Sequence, residues 1–142
     1  MYVVSACLAG VNCKYSGGNN LNEKIEKLVK EGKAILVCPE QLGGLSTPRD
    51  PSEQLGDKVV QDTGRDVTME YNKGAEESLR IAKLYNCDKA ILKSRSPSCG
   101  CGMVYDGTFS KTLVEGDGVT TKLFKENGIE IISSDDIDKI DL

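Results

Sequence analysis

The sequence predicts a small three-layer α/β/α domain on a mainly parallel four-stranded sheet. Short, mainly apolar runs recur within residues 2–6, 34–37, 89–93 and 129–132, the pattern of strands buried on both faces. Segments with helical apolar spacing separate them, and parallel strands need such crossovers, which run right-handed. The 142 residues suit one domain, residues 1–142, able to bury roughly two-thirds of its unfolded surface around a single core.

Taken in order, the β-branched run at residues 2–6 forms the first strand and ends in Cys7-Leu8-Ala9-Gly10. A Gly/Asn-rich loop follows. Leu21, Ile25, Leu28 and Val29 then mark a helix over 21–31, with Asn20 and Glu23 spaced as a cap and its reciprocal partner and Gly32 as the stop. Ala34-Ile35-Leu36-Val37 is the second strand and runs into Cys38-Pro39-Glu40. Gly43-Gly44, Pro48-Arg49 and Pro51 then break regular structure, so a long surface loop is expected, and such loops in compact domains are usually functional. Residues 58–67, with Thr63-Gly64 at the middle, read as a small hairpin.

Tyr71, Ala75, Leu79 and Ala82 form a helical stripe between residues 68 and 86, with Gly74 as its weak point. Residues 89–93 are the third strand. A hairpin around Asp106-Gly107, spanning 103–114, lies outside the main alternation. Val119, Leu123 and Phe124 give another helix closed by Gly128, residues 129–132 the fourth strand, and Ser134-Asp135-Asp136 the cap of a short helix carrying Ile137 and Ile140.

Composition narrows the function. A net charge of −4 argues against a general nucleic-acid binder. No apolar run reaches membrane-spanning length and no leader pattern is evident, so a cytoplasmic protein is expected. Six cysteines in such a chain point to metal binding or catalysis rather than a disulfide framework. Histidine is absent, which removes Ser-His-Asp triads, Cys-His dyads and mixed His/Cys zinc sites together.

The densest chemistry lies in Lys93-Ser94-Arg95-Ser96-Pro97-Ser98-Cys99-Gly100-Cys101-Gly102, directly after the third strand. Ligands of open parallel sheets bind beyond the carboxyl ends of the strands, where the strand-to-helix loops converge. Cys7, Cys38 and Cys99 each stand at or just past such an end, which collapses distant positions into one three-thiolate site at that edge. Sulfur ligands without nitrogen favour an iron–sulfur cluster or zinc over hard cations. Cys13 or Cys101 could complete a four-thiolate site, making a structural zinc module, and Cys99-Gly100-Cys101 could form a redox pair beside Lys93 and Arg95. Cys87, at a helix end, reads as a small buried apolar residue.

Three motifs carry a resemblance. Ser5-Ala6-Cys7-Leu8-Ala9-Gly10 with Cys13 and Tyr15-Ser16-Gly17, then Cys38-Pro39-Glu40 with Gly43-Gly44-Leu45 and Pro48-Arg49, then Lys93-Ser94 with Ser96-Pro97-Ser98-Cys99-Gly100, resemble the thiouracil desulfurase family across essentially the whole chain. The resemblance implies a 4Fe-4S cluster held by Cys7, Cys38 and Cys99 only, one iron being left without a protein ligand. It also implies a non-redox removal of sulfur, as sulfide, from a small thiolated pyrimidine such as 2- or 4-thiouracil. Glu40 takes the acid/base role by the same resemblance, a carboxylate being the natural group where histidine is absent, and Ser96 relays a proton or orients substrate. Lys93, Ser98 and Arg49 are candidates for contacting substrate.

Overall fold

The computed structural model describes residues 1–140. In chain order it contains β1 (Tyr2–Ser5), a 3-10 turn (Ala6–Ala9), α1 (Glu23–Lys30), β2 (Ala34–Val37), α2 (Pro39–Leu42), β3 (Ser52–Leu55) and β4 (Lys58–Gln61). There follow α3 (Thr68–Leu84), β5 (Lys89–Leu92), β6 (Met103–Tyr105), β7 (Leu113–Glu115), α4 (Val119–Glu126), β8 (Glu130–Ser133) and a closing 3-10 turn (Ser134–Lys139).

Strands β2, β1, β5 and β8 lie side by side in that order, all parallel, with Ser5 opposite Val37 and Val4 opposite Ile91. Alternate side chains leave the sheet on opposite faces. On one face Val4 and Ile91 pack with Ile25 and Leu28 of α1 and with Ile137. On the other, Val3, Ala90 and Leu92 pack with Ala82 of α3 and Phe124 of α4. Each fully buried aliphatic or aromatic side chain contributes about 1.5–3 kcal/mol. The three layers are those the apolar runs predict.

From β1 the chain moves outward to β2, and from β5 it moves outward to β8 on the other side. The topological switch therefore lies between β1 and β5, where an open parallel sheet leaves a crevice at its carboxyl edge.

The structure corrects several expected details. The cap of α1 is Asn22, whose Oδ1 accepts from the N–H groups of Lys24 and Ile25 at 3.0 and 3.3 Å, and Asn20 is free for another task. The long loop after Cys38 contains α2 and β3. The ribbon it leads into is β3 paired antiparallel with β4 across Gly56 and Asp57, and the turn at Thr63-Gly64 adds only a Val60–Asp66 bridge beside it. Ser52-Glu53-Gln54-Leu55 shows no apolar alternation because its polar side chains act as anchors to other loops. The β6–β7 hairpin is closed by the loop 106–112 rather than by a tight turn at Asp106-Gly107.

Gly74, a weak point by propensity, has a packing reason. A methyl group there would overlap the Pro39 carbonyl oxygen, and one at Gly43 would overlap the Glu70 carbonyl oxygen. Two glycines thus let α2 lie directly on α3, which fixes the residues next to Cys38.

Candidate active site

Three strand ends deliver three thiols to one cavity of about 560 Å³, within the range of small-molecule sites. Cys7 lies in the 3-10 turn after β1, Cys38 caps α2 just past β2, and Cys99 follows β5. Cys7 and Cys99 are buried and Cys38 is partly exposed.

Local hydrogen bonds explain each position. After β1, the N–H of Asn20 donates to the Cys7 carbonyl at 2.9 Å, and its side-chain amide donates to Cys7 Sγ at 3.4 Å. The Cys99 loop is held by the first turn of α4, whose otherwise unpaired N–H groups need acceptors: Val119 donates to the Pro97 carbonyl and Thr120 to that of Ser98, both at 2.9 Å. Thr121 Oγ1 adds a bond to the Cys99 carbonyl at 2.8 Å. Ser5 Oγ, at the end of β1, accepts from the N–H of Lys93 at 2.9 Å, tying the first and third cysteine loops together across the switch point.

Glu40 stands in the cavity wall on α2, two residues beyond Cys38. Its Oε2 lies 3.7 Å from the Arg49 guanidinium, and the two side chains are only 13 % and 5 % exposed. Burial pushes the Glu40 carboxyl above its ordinary range, with Arg49 opposing the rise. Burial likewise raises the Cys7 thiol, against the Asn20 hydrogen bond, and raises Cys99. Cys38 is held low, first by the neighbouring Cys13 thiol and then by the Gln41 N–H and Arg49.

Ser96 lines the cavity, and its Oγ accepts from the N–H groups of Ser98 and Cys99 at 3.1 and 3.0 Å, which leaves its proton free to donate. Lys93 also lines it, its Nζ donating to the Ser94 carbonyl at 3.1 Å and to Ser94 Oγ at 3.3 Å. Ser98 is a correction. Its side chain is fully buried against α4, with Oγ 2.7 Å from Thr120 Oγ1, and it braces the loop rather than lining the cavity.

Of the other cysteines, Cys13 borders the cavity, its carbonyl 3.7 Å from Cys38 Sγ, whereas Cys87 is packed in the core and neither it nor Cys101 borders the cavity. Two residues the sequence reading passed over belong here. Asn20 was masked by its resemblance to a helix cap, and Tyr71 by its place in an apolar helical stripe; it is buried and borders the cavity.

The donor set fits a polynuclear iron–sulfur group. Three thiols reach the cavity from separate loops, with Asn20 placed to hydrogen-bond one sulfur, the kind of contact that tunes such groups. Cys7, Cys38 and Cys99 are the residues that would hold it.

A family model described as 2-thiouracil desulfurase matches residues 2–136. The chain is 45 % identical over 150 aligned residues, 99 % of each protein, to a Bacillus subtilis (strain 168) protein called uncharacterized protein YbbK. A solved structure described as a 4Fe-4S-dependent thiouracil desulfidase, TudS, superposes with a TM-score of 0.92 at 40 % identity, covering 97 % of this chain and 93 % of that one.

Proposed function

Since the chain belongs to the 2-thiouracil desulfurase family, we propose that it removes the sulfur of a small thiolated pyrimidine, 2- or 4-thiouracil or a derivative, giving uracil and sulfide without net redox change. The observation that carries this reading is the delivery of Cys7, Cys38 and Cys99 from three strand ends to one cavity that also has Glu40 in its wall.

Cys7, Cys38 and Cys99 hold a 4Fe-4S cluster, which when bound supplies an iron without a protein ligand as a soft Lewis acid toward a thiocarbonyl sulfur. The chain's own groups do the rest. Replacing C=S by C=O takes one water, and its protons need an acceptor in the cavity. The Glu40 carboxylate is the base within reach: it is largely buried and is oriented by Arg49 through its Oε2. Ser96 holds its Oγ in place with two backbone N–H bonds and keeps one proton to donate to substrate or to pass on. Lys93 sets a cation at the same wall, suited to a ring carbonyl oxygen. Arg49 positions Glu40.

A cavity of about 560 Å³ and a net charge of −4 suit a small molecule rather than a nucleic acid. Among the described residues all six cysteines are free thiols and no helix is long and apolar enough to cross a membrane; free thiols persist in the reducing cytoplasm, where we place the protein.

The test is anaerobic incubation of cluster-loaded protein with 2- and 4-thiouracil in the absence of reductant. Uracil and sulfide should appear in equal amounts, and Glu40→Gln should keep the cluster's visible absorption while losing turnover by about 10²-fold or more. Full activity in that variant removes Glu40 from the mechanism. Sulfide formed only when a reductant is supplied overturns the non-redox reading.

A further inference from the structure

Four non-glycine residues among those described have left-handed backbone, and three of them, Arg95 (φ 61°), Phe109 (φ 56°) and Lys111 (φ 62°), border the cavity. Bulky side chains adopt this conformation only where the surroundings impose it, and such residues gather at ligand clamps. Phe109 is also the one phenylalanine outside the core, since Phe124, the other, is fully buried.

The surroundings that impose it are visible. Glu53, on β3, is only 9 % exposed, and its Oε1 accepts from the N–H of Gly107 at 3.0 Å and of Phe109 at 3.1 Å. A buried carboxylate thus grips the tip of the β6–β7 hairpin by two backbone donors, bonds of the stronger, charge-assisted kind. The next residue, Gln54, donates from Nε2 to the carbonyls of Pro97 and Asp117 at 3.0 and 2.9 Å. One short polar strand therefore registers the hairpin tip against the loop that carries Ser96 and Cys99.

We propose that Phe109 is a specificity-determining residue whose ring forms the apolar wall against which the substrate's flat pyrimidine packs, and that Glu53 is the positioning residue that holds it there. The inference rests on the desulfurase reading for its substrate class. A pyrimidine presents two π faces, and stacking on an aromatic side chain recognises such a ring while leaving its polar edge to the polar groups that line the same cavity, Lys93 and Ser96 among them.

Stacking of a base on an aromatic ring changes affinity about tenfold or more on truncation to alanine. The experiment measures kcat and KM for thiouracil in cluster-loaded wild type, Phe109→Ala, Phe109→Tyr, Glu53→Ala, Glu53→Gln and the double alanine variant. We expect Phe109→Ala to raise KM about tenfold with kcat nearly unchanged and Phe109→Tyr to restore it. Glu53→Ala should reproduce the KM effect, Glu53→Gln, whose amide oxygen still accepts both N–H groups, should stay near wild type, and the double variant should be no worse than the worse single one. Backbone amide exchange at residues 107 and 109 should quicken in Glu53→Ala, cluster absorption remaining as in wild type. A Phe109→Ala KM equal to wild type overturns the wall, and additive losses in the double variant overturn the role of Glu53.

A second readout does not depend on turnover. The chain has no tryptophan, so Phe109→Trp places a single tryptophan at the wall, excited selectively at wavelengths the five tyrosines do not absorb. Its emission should change saturably with uracil and with 2-thiouracil, and an indifferent emission overturns the proposal. A change in emission in a protein that releases no sulfide would overturn the desulfurase reading and leave the wall standing.

Discussion

Replacing Gly74 with alanine tests the link between helix packing and the site. Alanine is the better helix former by about 1 kcal/mol, so propensity alone predicts stabilisation. The structure predicts the opposite. The added methyl would overlap the Pro39 carbonyl oxygen and come within 3.3 Å of the Gly43 nitrogen, so α2 and α3 would have to part by about 1 Å or more to reach ordinary contact. Both obstacles are backbone, which cannot swing aside. Overpacking of this kind costs about 1–3 kcal/mol, and with no soft neighbour the upper part of that range applies, leaving a net loss of about 2 kcal/mol after the propensity gain. For a chain of this length that is a fall in Tm of about 6 °C by thermal unfolding. Because Pro39 adjoins Cys38 and precedes Glu40, cluster content per folded chain should fall too. Lys73→Ala, one position away and exposed, serves as the control and should stay within about 0.5 kcal/mol of wild type. An unchanged or higher Tm for Gly74→Ala would refute the close-contact reasoning.

Two further substitutions probe the site. Arg49→Met leaves Glu40 buried without its cation, a loss of about 3 kcal/mol where the carboxylate is charged. Burial raises the folded Glu40 value above the unfolded one, so its protonated form costs little and the deficit relative to wild type should be small in acid and widen as pH rises through that value; denaturant midpoints from pH 4 to 8 measure it, and a pH-independent deficit would contradict the assignment. Asn20→Ala removes the hydrogen bond to Cys7 Sγ, which is stronger toward the more electron-rich reduced group; with about 0.5–1.5 kcal/mol for the whole bond, the one-electron midpoint potential of the loaded protein should fall, by at most about 60 mV, whereas an unmoved potential would show that the amide does not reach the ligand sulfur.

The four sheet strands and the main helices between them were legible because each is an apolar run or stripe long enough to declare its period, although only the central strands β1 and β5 are largely buried and the edge strands β2 and β8 are partly exposed. The convergence of Cys7, Cys38 and Cys99 followed from the same strands, since a parallel sheet gathers its loops at one edge whatever the loops contain. What escaped was decided by polar side chains acting at a distance. Nothing local marks Ser52-Glu53-Gln54-Leu55 as a strand, because its partners are carbonyls and N–H groups some 40 to 60 positions away. Ser98 looked like a site residue from its company in the loop, yet one position beside Pro97 turns its hydroxyl into the interior toward Thr120. Asn20 and Asn22 are equally good caps by type, and only the register of α1 decides that one caps the helix and the other meets a thiol.

The central claim, a cluster held by three cysteines at this cavity, is tested most directly by iron, sulfide and zinc analysis with visible absorption of anaerobically prepared protein, in wild type and in six single Cys→Ser variants. The account predicts a brown protein with about four irons and four sulfides per chain, lost on replacing Cys7, Cys38 or Cys99 and kept on replacing Cys13, Cys87 or Cys101. A colourless protein with about one zinc that stays free of iron after reconstitution, or a cluster that also needs Cys13 or Cys101, would contradict it.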